Sequence, residues 1–257
     1  MTVTTPSPSS SEPTVPGPRH QRPAAAAVGS APSRSAEAPP GRVYAAAGRG
    51  AAIALPLGAA LAAVSTVFDP HSTEPEPRGM YVAYGADPAG ADVAATVLHY
   101  GFLSLAVGLL LAGLALASRR GRVLAVVGGA LGFLGFANLS GAVVEDWFAA
   151  QMSAALGPDA AMAIGERAEA MPALTAGWMI PMMIGFSLGP VLLAAGLARG
   201  RVLAWWTLVL PVVGTVLLTA GHDLGAAGFL ATLAVWVVFG LLAGRALWTA
   251  PAVDAQD

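Results

Sequence analysis

Six apolar stretches, each about as long as a hydrocarbon core is thick, govern what this chain can become. A helix needs about 20 such residues to cross about 30 Å of hydrocarbon. The stretches lie at about 50–68, 95–117, 123–144, 174–198, 202–220 and 226–247. Unsatisfied backbone groups are prohibitive in lipid, so runs of this length fold as helices. The expected fold class is all-α, a polytopic membrane bundle of six transmembrane helices. Pro56, Pro181, Pro190 and Pro211 fall inside the stretches and are expected to bend them.

Composition agrees, with 56% hydrophobic and 11% charged residues in 257. The chain has no Cys, which excludes disulfides, thiolate catalysis and Cys-ligated metals. All 13 basic residues are Arg, and the wealth of Ala, Gly, Pro and Arg points to a GC-rich bacterial genome.

The arginines are sorted. Arg19, Arg22, Arg34, Arg42 and Arg49 precede the first stretch. Arg119, Arg120 and Arg122 join the second to the third, Arg199 and Arg201 the fourth to the fifth, and Arg245 ends the sixth. Only Arg78 and Arg167 lie in the alternate loops, which carry most of the acids. The positive-inside rule then predicts a bacterial cytoplasmic (inner) membrane protein with N- and C-termini in the cytoplasm. Trp147 and Trp178 fall toward the expected outer interface, Trp205, Trp206 and Trp248 toward the inner one, and Trp236 in mid-bilayer.

Three regions are expected. Residues 1–48, rich in Pro, Ala and Ser, read as a disordered cytoplasmic tail. Residues 49–248 read as the transmembrane domain, and 249–257 as a short cytoplasmic tail. The first apolar run starts about fifty residues in and continues to spanning length, unlike a cleavable signal peptide.

Two patterns concern packing. Gly128 with Gly132, Gly185 with Gly189 and Gly240 with Gly244 have the small-xxx-small spacing that lets helices approach, although glycine is frequent enough here for chance to account for the pairs. Arg120-Gly121-Arg122-Val123-Leu124-Ala125 recurs as Arg199-Gly200-Arg201-Val202-Leu203-Ala204. Either the second and third spans repeat as the fourth and fifth, or two short turns converged on Arg and Gly.

Ionisable groups at a bundle mouth are costly, and therefore candidates for function. They gather on the expected outer side: His99 and Tyr100 open the second span, Glu145 and Asp146 close the third, and His222 and Asp223 turn between the fifth and sixth. Asn138, the chain's one asparagine, lies two turns deeper than Glu145 on the same helix face. Span-end acids also simply reach interfacial water, and an Asn in a span also serves helix packing.

The leading expectation is binding, and passage, of a small solute or ion through this outward-facing polar mouth. The alternatives are a membrane enzyme acting on a lipid or isoprenoid with Glu145 or Asp146 as acid, and a non-catalytic accessory subunit or sensor. No cofactor is expected: a metal or bis-imidazole haem site would need His99 and His222 to meet across distant helices. Met179, Met182 and Met183 read as packing filler around Pro181 rather than Cu(I) ligands. The arginines are arranged for topology, so no nucleic-acid partner is expected. The outer segment 148–173 is expected to be partly helical, with a second helix starting at Pro158-Asp159.

The Asp69-Pro70-His71 turn, the acidic loop after it, and Leu98-His99-Tyr100-Gly101-Phe102 resemble small six-span integral membrane proteins of high-GC bacteria. The resemblance covers the first half of the membrane region. It implies fold and location and no activity.

Overall fold

The computed structural model describes the backbone of residues 40–220 and 225–250, with side chains over 42–217 and 230–250. Most of the expected tail, together with His222 and Asp223, lies outside the described residues.

Among those residues helices are the only regular secondary structure. In order come α1 (Pro40–Ser65), α2 (Arg78–Ala86), α3 (Pro88–Ala115), α4 (Arg122–Ala142), α5 (Val144–Leu156), α6 (Pro158–Glu169), α7 (Pro172–Leu174), α8 (Ile180–Arg199), α9 (Val209–Ala220) and α10 (Gly225–Thr249). A π-helical turn at Thr175–Met179 feeds α8, and a 3-10 turn at Trp205–Leu208 feeds α9. Five helices are long and apolar enough to cross a membrane, namely those ending at Ser65, Ala115, Leu156, Arg199 and Thr249. The apolar helix at Trp205–Leu217 is shorter.

Helix bounds differ from the sequence expectation at two places. α1 begins at Pro40, about ten residues before the apolar run, because Ala45, Ala46 and Ala47 extend the helix past the hydrophobic stretch. α3 begins at Pro88, where Asp87 caps it by accepting from the Gly90 amide at 2.9 Å and proline occupies the first turn.

The long helices neighbour one another in the order α9, α10, α1, α3, α4, α8, with α8 returning to α9. In each candidate span at most half of the most apolar window is buried within the protein. The outward positions are apolar too: Ile53 and Leu57 on α1, Val123 and Leu134 on α4, Leu188 on α8 and Leu241 on α10 are all exposed. Helices apolar on every face belong in lipid.

Glycine spacing proves structural where chance had sufficed to explain it. A Cβ on Gly185 would lie 2.7 Å from the Gly135 amide nitrogen and from the Leu131 carbonyl oxygen, so α4 and α8 touch backbone to backbone. Gly128 and Gly132 extend the same seam along α4, and Gly189 extends it along α8. Gly240 and Gly244 abut Leu55 and Ala52 of α1 in the same manner.

Aromatic rings fill the centre. Phe136 stands edge-on to Trp236 at 5.4 Å and to Phe186 at 6.4 Å, with Phe102 at 6.1 Å, while Trp236 meets Phe239 at 6.0 Å. Trp236 and Phe239 are 5% and 1% exposed, so this cluster closes the middle of the bundle.

Candidate functional site

The sequence reading missed α2. Its nine residues follow a proline-rich stretch, and Met80, Tyr81 and Tyr84 lie along one side. That side docks on α5 and α6: Tyr81, Ala149 and Ala161 form a small buried cluster, with Met80, Tyr84, Met152 and Met162 around it. Gly165 leaves room for the Tyr81 hydroxyl, which a side chain there would strike. Arg78 adds ion pairs to Glu74 and, at 2.9 Å, to Asp159 at the start of α6. α5 and α6 are the two outer helices expected beyond residue 148, with the second starting at Pro158. Together the three make a cap at the end of the bundle where α4 stops and α3 begins.

Tyrosines and carboxylates share this cap. Tyr84 donates a long 3.3 Å hydrogen bond to Asp69, just beyond α1. The Tyr84 phenol is pushed up by burial, then by the charges of Asp146 and Asp69. Tyr81 is also raised by burial first, and then by Glu145, Glu169, Glu166 and Asp146. The Asp69 carboxyl is raised by burial, opposed by nearby His71 and by the Tyr84 hydrogen bond. Acids from α5, α6 and the α1–α2 connection thus act on two tyrosines.

A second group lies beside it. The unprotonated Nδ1 of His99 accepts from Ser140 Oγ at 2.8 Å, and the same nitrogen when protonated donates to the Ser140 carbonyl at 3.1 Å. Ser140 is 1% exposed. The His99 ring lies 5.9 Å from Trp147 and meets Tyr100 edge-on at 5.2 Å. Trp147, next to Asp146 in sequence, donates to the Asp92 carbonyl at 3.3 Å and ties α5 to α3.

No family model, curated protein or solved structure matches this chain.

The proposed mouth residues do not form one site, and His222 and Asp223 lie outside the described residues. Glu145 and Asp146 open α5 and act on the tyrosines of α2, Asp146 being partly buried and Glu145 exposed. His99 pairs with Ser140, a residue of α4. Tyr100 is 58% exposed and turns outward. Asn138 offers its backbone carbonyl to Trp178 Nε1 at 3.2 Å, an indole carried by the π-helical turn. Among the described residues no three His, Asp or Glu are grouped to hold a metal.

The residues that reasoning from sequence overlooked are Tyr81, Tyr84 and Ser140, while Asp69 was noted only as part of a turn. Tyr81 and Tyr84 are three apart, a helical spacing that was available as a signal. Ser140 gave no signal, because its partner is 41 residues away.

Proposed function

We propose that the chain is a six-span protein of the bacterial cytoplasmic membrane with both termini in the cytoplasm, and that its outer cap binds a small cationic solute or ion. One observation carries the binding proposal: carboxylates from three segments, Asp69 and Glu76, Glu145 and Asp146, and Glu166 and Glu169, act on the Tyr81 and Tyr84 phenols, with Arg78 paired to Glu74 and Asp159 beside them. Carboxylates gathered beside two tyrosines suit a cation, which the acids attract through charge.

Topology is supported by the arginine sorting, with α9 and its preceding 3-10 turn, shorter than the five long helices, taken as the sixth crossing. The aromatic cluster around Phe136 favours capture at the cap over an open pore.

The test uses full-length protein in lipid nanodiscs, titrated by calorimetry with tetramethylammonium and with sodium ions. Binding of at least one probe, weakened about tenfold by Asp146→Asn with Tyr84→Phe, is expected, about 1.4 kcal/mol. Absence of binding by both, or equal affinity in the double variant, overturns the proposal. For topology, the absence of Cys gives a clean background. Ser72→Cys should react with an impermeant maleimide in intact cells, and Ser118→Cys only after lysis.

A further inference from the structure

The identical hexapeptides at 120–125 and 199–204 do not share a conformation. In the first, Gly121 takes the left-handed position, φ 84°, and α4 starts at the next residue. In the second, Gly200 has an ordinary φ of −76°, and Arg201 takes the left-handed position at φ 57°. The Val202 and Arg201 amides donate to the carbonyls of Leu197 and Ala198, the pattern of a Schellman helix end. A residue with a Cβ is strained there, and a glycine stands unused beside it.

That arrangement brings the two turns together. A Cβ on Gly121 would lie 2.5 Å from the Gly196 carbonyl oxygen and 3.1 Å from Arg199 Cβ, and one on Gly200 would lie 3.0 Å from the Arg120 carbonyl oxygen. Arg120, Arg122, Arg199 and Arg201, all exposed, consequently line one cleft of about 580 Å³ with Arg119 and Trp205. Among the described residues neither Asp nor Glu lines it. An adjoining cleft of about 480 Å³ shares Arg119 and Arg201 and adds Arg245 and Trp206.

The positive-inside rule asks only for positive charge in these connections, and it is met by arginines splayed into water. Converging them in a concavity sets like charges against one another, which an anion would relieve. Guanidinium groups match phosphate oxygens in a two-pronged geometry, and the first turn of α4 adds its positive dipole end beside Arg122. Trp205 and Trp206 suit the depth of lipid headgroups.

We infer that the paired Arg-Gly-Arg turns form a binding site for a phosphate-bearing anion, supplied either by an anionic phospholipid headgroup or by a soluble phosphate compound. The site takes its ligand in the manner of basic pockets between transmembrane helices. It lies at the other end of α4 from the cap and is independent of cation binding there.

Full-length protein in an uncharged detergent would be titrated with short-chain phosphatidylglycerol, short-chain phosphatidylcholine and pyrophosphate, following binding by calorimetry. Phosphatidylglycerol or pyrophosphate should bind, with phosphatidylcholine at least about tenfold weaker than the better of the two. Arg199→Gln with Arg201→Gln should weaken the better probe by about tenfold or more, at roughly 1 kcal/mol per arginine. Arg42→Gln with Arg49→Gln, which removes the same charge from the same end of the bundle outside the cleft, should change it less than about twofold. Arg199→Lys with Arg201→Lys, keeping charge and losing the planar fork, should fall between, and serves as the test if the Gln pair fails to fold. Phosphatidylglycerol that pyrophosphate does not displace identifies a lipid headgroup; tight pyrophosphate binding with the same variant pattern identifies a soluble phosphate. Equal losses in the cleft and control pairs, an unweakened Lys pair, or no binding of either anion would overturn the inference.

Discussion

Ser140 presents His99 with a hydroxyl donor at 2.8 Å and a carbonyl acceptor at 3.1 Å, both directed at the same ring nitrogen. One residue of α4 thereby satisfies either state of Nδ1 on α3, and the imidazole keeps a partner whichever nitrogen carries its proton. Ser140→Ala removes the hydroxyl and leaves the carbonyl. The neutral ring should then shift toward the tautomer protonated at Nδ1, visible in nitrogen NMR of histidine-labelled protein, with a stability loss of about 1 kcal/mol. An unchanged tautomer ratio would show that the hydroxyl does not set the ring's protonation.

The α4–α8 seam should tolerate no side chain. Gly185→Val places atoms within 2.7 Å of Gly135 and Leu131 backbone, neither of which can swing away. A loss of about 2–3 kcal/mol is expected, seen as a lower melting temperature in micelles. Gly177→Ala, with nothing within 4 Å of its Cβ, is the control and should melt as the parent does.

Asp69 makes the cap sensitive to pH. Burial raises its folded-state pKa, so between the ordinary carboxylate range and that raised value the folded protein binds more protons than the unfolded chain. Stability from this group is therefore greatest in acid and falls as pH rises through the window. Asp69→Asn should flatten that part of a melting-temperature profile taken from pH 3.5 to 7. A variant profile parallel to the parent's would assign the effect elsewhere.

Arg201 carries avoidable strain at φ 57°. Arg201→Gly should stabilise the protein by about 1 kcal/mol, because glycine enters the left-handed region without a Cβ clash. Chemical denaturation in mixed micelles measures this. A destabilised glycine variant would mean that the arginine side chain contributes more to the fold than its backbone costs.

Much of the architecture was legible because it depends on one-dimensional quantities. The length of apolar runs is read directly, as is the Pro158 that opens α6. Trp236, placed in mid-bilayer by its position in the last apolar run, lies at the centre of the aromatic core. α2 was not legible: nine residues with two tyrosines and an arginine have no spanning length, and their helix depends on docking against Ala149 and Ala161. The candidate site was half legible. Glu145, Asp146 and His99 were singled out as ionisable groups at span ends, but their partners Tyr84, Tyr81 and Ser140 come from segments 41 or more residues away.

By itself the sequence determined an all-helical chain with several apolar helices of membrane-crossing length, since hydrophobic length and the cost of unpaired backbone in lipid act locally. Tertiary structure decided which glycines are contacts, which acids face the tyrosines, and that two identical Arg-Gly-Arg turns adopt different backbones and share one cleft. Those outcomes depend on where one helix ends against another: α8 runs to Arg199 before it caps, α4 starts directly after Gly121, and six residues of sequence hold no record of that neighbour.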